Sequence, residues 1–238
     1  MLKNCLFLAI SVFAFSRCAS QHDNKAVSPK SLSVEYAYIG IPDDDVVQKT
    51  MFGNTHYKIY TDAGHTMLES NVQASGGLKT IIVIDNKTGE THLCISLDTL
   101  KIKTIEKDPA LKDQLFGIFG DSSFTWASSG VAQEPIQGYA ATGWAISSPE
   151  HGKTILYVTD QVSPPAEMAR SPVFIHHDGK FVGLMLGSDQ QFGKYSPRLR
   201  AVNIELDKPK DVAATLAAYR SVSKEEGNRL MQKAMSGY

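Results

Sequence analysis

The serine in this 238-residue sequence whose setting resembles that of a hydrolase nucleophile is Ser122, in the run Gly120-Asp121-Ser122. His65, Asp98 and Ser122 occur in an order that suits a base, an acid and a nucleophile. The surroundings argue against it. Ser123 and Phe124 follow the serine where two glycines would shape an oxyanion hole, and the one Asp-x-x-His spacing, Asp62 to His65, comes before the serine instead of after it. Metal chemistry fares no better. His176-His177-Asp178 offers three ligands in a row, but neighbouring strand residues point to opposite faces, so one ion cannot easily take both imidazoles. His56 and His65 flank one hairpin and would face each other across it, with no third ligand in view. Asp43-Asp44-Asp45 lacks the glycine and the distal glutamate of a calcium loop. No cofactor motif occurs, and no catalytic or metal residues are assigned. What remains is apolar: Trp126, Trp144, Tyr157 and Met185 are the candidates to line a pocket for a hydrophobic ligand, against the ordinary alternative that they fill the core.

Composition agrees with binding by burial. Hydrophobic residues make up 42% and charged residues 21%, enough to build a core. The net charge of -1 gives no field to draw the chain onto nucleic acid. Three cysteines, Cys5, Cys18 and Cys94, are too few for a disulfide scaffold. Lys3 followed by the apolar run Cys5 to Phe15, interrupted only by Ser11, reads as a signal peptide over residues 1–20, since a run of eleven residues is too short to span a bilayer as a helix. Cys18 stands just past this run, as in the lipobox of bacterial lipoproteins, and is the candidate lipidation site. Arg17 is larger than the residue such boxes prefer there, and plain cleavage near Ser20 is the competing outcome. Residues 21–31 are polar, contain Pro29 and suit a flexible tether. A single folded domain is expected over 32–238, with Cys94 in its core.

The elements that must position any site are strands. Period-two alternation over Leu32–Tyr38, Tyr57–Tyr60, Thr91–Leu97 and Leu100–Ile105 predicts strands with one wet face. Further strands are expected at His65–Leu68, Ile81–Ile84, Tyr139–Ser147, Thr154–Thr159, Pro172–His177, Phe181–Gly187 and Arg198–Leu206. Asp62-Ala63-Gly64, Asp85 to Gly89 and Asp178-Gly179 are hairpin signals, the last suited to a type I′ turn. Ala127 to Gly130 reads as a loop, and short helices are expected at Pro109–Phe116, Pro164–Arg170 and Lys210–Ala218. A terminal helix is marked by the capping-box spacing of Ser223 and Glu226 and the apolar face of Leu230, Met231, Ala234 and Met235. Ile81–Ile84 and Leu184–Leu186 are apolar on both faces, so the C-terminal helix, the loop around Trp126 or an apolar ligand must cover the second one.

Three segments resemble an uncharacterised family of bacterial envelope proteins, frequent in Bacteroidota and related to the LolA/LolB-type lipoprotein carriers. They are Thr55 to Leu68 with its continuation through Asp85, Ile136 to Ala141, and Ala218 to Glu226. The resemblance implies a mainly β (α+β) domain: a strongly curved antiparallel sheet, a half-barrel, with an apolar concave side, a few short helices and a C-terminal helix. It also implies export, often with a lipid anchor. Relatives often carry a cysteine shortly after the Gly-Tyr pair, where this chain has Ala140 and Ala141.

The expectation is therefore a non-enzymatic protein of the cell envelope, periplasmic or anchored at the outer membrane by Cys18, otherwise secreted. It would bind an acyl chain or similar hydrophobic molecule as carrier, chaperone or sensor. The alternatives are a structural or adaptor module working through protein contacts and, remotely, a hydrolase. Cys18→Ala is expected to abolish metabolic labelling by radioactive fatty acid; labelling that persists, or none in the parent chain, would refute the anchor.

Overall fold

Ser31–Ile39 (β1) is the strand on which both halves of the sheet hang. In the computed structural model, which describes residues 26–53, 55–72, 78–106, 125–129, 134–148, 152–191 and 195–235, β1 pairs antiparallel with a strand on each side. On one side an uninterrupted antiparallel meander runs through Thr55–Asp62 (β2), His65–Val72 (β3), Leu78–Asp85 (β4), Thr91–Leu97 (β5) and Leu100–Glu106 (β6). On the other, the path from Thr125–Ser128 (β7) returns through Thr142–Ser148 (β8), Gly152–Thr159 (β9), Lys180–Gln190 (β11) and Arg198–Leu206 (β12) to β1. Phe174–His177 (β10) pairs with the first half of β11, and Arg220–Ser221 (β13) adds to the outer edge of β6 in parallel. The protein is mainly β, with one large, open, curved sheet and a few short helices.

The turns form for reasons legible in their residues. Asp62 Oδ1 accepts from the backbone N–H of Gly64 and His65, both at 2.7 Å, which closes β2 onto β3. Asp85 Oδ1 does the same for Lys87 and Thr88 at 2.8 Å, and Gly89 takes the positive φ that follows. Asp178 and Gly179 both have positive φ, 49° and 71°, as a type I′ turn requires. Three expected boundaries shift. Tyr139 precedes β8 instead of opening it, because Gln137 and Gly138, with φ of 52° and 81°, fold Ile136 back onto Tyr139. Ala127 and Ser128 lie in strand β7 and not in a loop, held by pairing to Ala145 and Trp144. Pro164–Arg170 makes a single 3-10 turn over Ala166–Met168.

Register assigns each face. Val34, Ile59, Leu68, Ile82 and Leu93 are successive cross-strand partners, so they form one apolar row across five strands. We call this the inner face, because Val162, Met168 and Val173 of the segment before β10 pack into the same cluster as Val34 and Ile59. Tyr60, Met67 and Val83 form the next row, on the outer face with Ile81 and Cys94. Val212–Ala217 (α2), capped by Asp211 at the N–H of Ala214, lays Val212 and Leu216 on these residues, and Tyr219 completes the cluster. The cover for Ile81 and Val83 is thus α2 and not the terminal helix. Lys224–Met235 (α3) begins at Ser223, whose Oγ accepts from Glu226 N at 3.1 Å. It lies over β6, with Gly227 against Thr104 and Ile102, residues that register gives to the inner face. The C-terminal segment therefore grips the sheet edge: α2 outside, β13 along the edge, α3 inside.

The folded body also begins earlier than Leu32. Val27 exchanges backbone hydrogen bonds with Gln161 and Ser163, Pro29 is buried, and Lys30 N donates to Asp207 Oδ1, so residues 26–31 are fastened to the domain. The segment expected to be a signal peptide, with Cys18, the first part of the expected tether, the helix expected at Pro109–Phe116, and Ser122 lie outside the described residues.

Cys94 is fully buried beneath α2, and burial pushes its thiol up to about 11. The native thiol is therefore neutral at pH 8, where an exposed one is partly thiolate. Iodoacetamide is expected to modify Cys94 on the order of a hundredfold more slowly in native protein than in urea at that pH, read by peptide mass mapping. Because the folded pKa lies above the unfolded value of about 8.5, stability from this site holds below that pH and declines as pH rises toward 11.

Candidate functional site

The two tryptophans meet on the inner face. Trp126 on edge strand β7 is the cross-strand partner of Ile146, and Trp144 on β8 is the partner of Leu156. Their rings stand edge to face, with centroids 6.2 Å apart and planes at 62°. The tip of the β10–β11 hairpin then adds a third ring. His177 stacks flat on Trp126, 4.7 Å between centroids and 19° between planes, while its Nε2 lies 3.5 Å from Asp178 Oδ2. Both indoles and the imidazole are half-buried, and the indoles pack against the main core. An aromatic wall of this kind, partly open and without a free charge of its own, suits apolar or flat ligands.

Tyr157 does not belong to this wall. The partner of Trp144 is Leu156, and Tyr157, one residue on, points to the opposite face. There it is held in a separate constellation: its hydroxyl donates to Asp189 Oδ2 at 2.8 Å, and the Arg200 guanidinium lies 4.5 Å above its ring centre. Arg200 Nη1 also donates to Asp189 Oδ1 at 2.6 Å and to the carbonyls of Leu199 and Ser188. Burial first, then the Asp189 hydrogen bond, pushes the Tyr157 phenol up. Gly187 makes this possible. It is the register partner of both Arg200 and Tyr157, and a Cβ there would run into Leu199 O and the Arg200 side chain. Met185 is likewise interior: it is buried in the main core, and its carbonyl accepts from the Tyr36 hydroxyl at 2.9 Å. Of the four residues expected to line a pocket, the structure brings together Trp126 and Trp144. Sequence reasoning missed Leu156 and His177 as their companions; the alternation of β9 and the tight turn after His177 were the available signals.

The chemistry weighed for the histidines is not assembled. His56 opens β2 opposite Asn71, whereas His65 opens β3 opposite Asp85, so the two lie at opposite ends of their hairpin instead of facing across it. Asp98 follows Ser96, the partner of Lys79, at the other end of β4 from His65, a separation of roughly 20 Å along the strand. His176 bonds Phe174 O through Nδ1 at 3.0 Å, while His177 goes to Trp126. A cleft of about 850 Å³ that no motif announced lies between the β2–β3 turn and the linker after β12, lined by Lys30, Tyr60, Asp62, His65, Asp207 and Pro209. Its central carboxylate is spent on structure: Asp62 holds the turn through Oδ1 and takes the Tyr60 hydroxyl on Oδ2 at 2.8 Å.

No family model matches this sequence, and no curated protein does. Among solved structures the chain is similar to PNGF-II, at 12% identity and a TM-score of 0.46, over 82% of this chain and 31% of that one. It is also similar to an uncharacterized conserved protein from Thermus thermophilus, at 11% identity and a TM-score of 0.44, over 82% and 91% of the two chains. A beta-barrel-like protein of a domain of unknown function from Brucella abortus follows at 11% identity and 0.27, over 77% and 99%. This chain spans about a third of the length of PNGF-II.

Gly187→Ala tests the outer constellation. The added methyl has no space between Leu199 O and Arg200, so a loss of about 2–3 kcal/mol is expected from urea unfolding. An unchanged midpoint would mean that the Leu199 backbone and the Arg200 side chain both give way freely.

Proposed function

We propose that this protein is an exported, lipid-anchored binding protein of the bacterial cell envelope, with a LolA-like half-barrel that holds an acyl chain or similar hydrophobic molecule on its inner face. The observation that carries the reading is the inner apolar row of Val34, Ile59, Leu68, Ile82 and Leu93, in which Leu68 and Leu93 are only half-buried. That half-covered stretch is the apolar surface a ligand would cover. The Trp126–Trp144 wall supplies a second apolar surface on the same face. Binding would be driven by burial, at about 25 cal/mol per Å² of apolar surface removed from water. Cys18 is the residue that would carry the anchor. No step of this reading needs a catalytic group, metal or cofactor.

A second reading, an adaptor whose inner face is permanently filled, draws on a different observation. Over β1 and β2 the inner face is already occupied by Val162, Met168 and Val173, each almost fully buried. The ligand reading is therefore confined to the stretch from β3 to β5, short of the α3 cover on β6, and to the tryptophan wall.

Native mass spectrometry of protein extracted from the envelope separates the two, because an acyl-chain adduct is expected from a carrier and an unliganded mass from an adaptor. The only tryptophans in the sequence are Trp126 and Trp144, so displacement of bound fatty acid should change intrinsic fluorescence directly. Trp144→Ala is expected to weaken binding of a fluorescent fatty acid about tenfold, the equivalent of one lost aromatic contact. Affinity unchanged in that variant, together with an unliganded native mass, would sink the carrier reading.

A further inference from the structure

Residues 41–53 leave the sheet between β1 and β2 and turn apolar side chains outward, which nothing in the folding of the domain requires. Val46–Gln48 (α1) and the wider turn of Lys49–Gly53 form one short helical knob. Its polar groups are directed back onto itself: Asp45 accepts from Gln48 N and Nε2, both at 2.9 Å, and Thr50 Oγ1 donates to Val46 O at 2.8 Å. Its apolar groups face solvent, with Val46 73%, Val47 50% and Met51 44% exposed, next to Ile39 at 39%. The knob is nevertheless rooted. Phe52 packs on Tyr38 with ring centres 4.9 Å apart, and Tyr38 on Tyr57 at 6.3 Å, so the exposed residues stand on a fixed aromatic base.

We infer that this knob is a docking surface for a second protein whose matching site is an apolar pocket rimmed by lysine or arginine. Charge decides among the occupants. The knob carries Asp43, Asp44 and Asp45 against the single cation Lys49, which pairs with Asp43 at 2.9 Å, and the Asp43 side chain is 98% exposed. A bilayer is the wrong partner, because interfacial segments that insert apolar residues carry lysine and arginine to meet anionic lipid, and here the flanking charge is acidic. A second copy of the chain is also disfavoured. A two-fold contact through Val46, Val47 and Met51 would bring the aspartates of both copies toward each other. A basic rim around an apolar pocket satisfies both features at once, and the small apolar area fits a transient contact. This surface stands whether or not the inner face holds an acyl chain.

The test uses the full-length protein in its own cells, with a photo-crosslinking amino acid at Val47. The expected result is an adduct to a different protein, mapped by mass spectrometry to a segment flanked by lysine or arginine. Its yield should fall about tenfold in Asp43→Lys/Asp44→Lys and separately in Val46→Ser/Met51→Ser, both melting like the parent, and it should fall with added salt. Purified protein carrying Cys18→Ala, so that no acyl anchor contributes, should remain monomeric in sedimentation and should not float with vesicles of phosphatidylcholine or of phosphatidylcholine with phosphatidylglycerol. An adduct to a second copy, flotation with either vesicle, an adduct indifferent to the charge reversal, or no adduct would each overturn the inference.

Discussion

β1 shares its hydrogen bonds between β2 on one side and β12 on the other, and that double pairing turns two separate meanders into one sheet. A strand in this position has no free edge, so its register must satisfy both neighbours together. The demand is met with an irregularity: pairing to β12 shifts by one residue between Glu35 and Tyr36, while pairing to β2 continues unbroken. Just past the shift, the buried Tyr36 sends its hydroxyl to Met185 O, tying β1 to β11, which is not its neighbour. Without that joint the inner apolar row would not be continuous from Ile204 through Val34 to Leu93.

A sheet of this width exposes two faces, and the chain covers them unequally. Outside, α2 and Tyr219 seal Met67, Ile81, Val83 and Cys94. Inside, the segment before β10 fills the floor over β1 and β2, while α3 sits at the far edge against β6. Among the described residues the middle of the inner face is left half-covered at Leu68 and Leu93, and it is this inequality, rather than any single residue, that supports a binding role. The tryptophan wall follows the same principle, since among the described residues β7 has a strand neighbour on one side alone and the β10–β11 hairpin folds across to lend it His177.

How much of this is legible in the sequence depends on the range of the interaction. Alternation gives Thr91–Leu97 and Arg198–Leu206 the boundaries they have, and Asp178-Gly179 announces its turn type, because alternation and positive-φ tolerance are local properties. Lys210–Ala218 reads as a helix but not as the cover of Ile81 and Val83, which are more than a hundred residues away in sequence. Aromatic character groups Tyr157 with Trp144. Pairing gives that partnership to Leu156, and an offset of one residue reverses the face.

The sequence by itself determined the class of the domain, most of its strands and turns, the capped terminal helix and the burial of Cys94, all consequences of patterns within about ten residues. Tertiary structure alone decided which face each strand presents, that Gly187 makes room for Arg200 over Tyr157, and that Trp126, Trp144 and His177 form one wall. It also decided that Val46, Val47 and Met51 remain uncovered. The physical reason is that a side chain's periodicity fixes its alternation relative to its own strand, whereas its neighbours are fixed by register with strands that lie far along the chain.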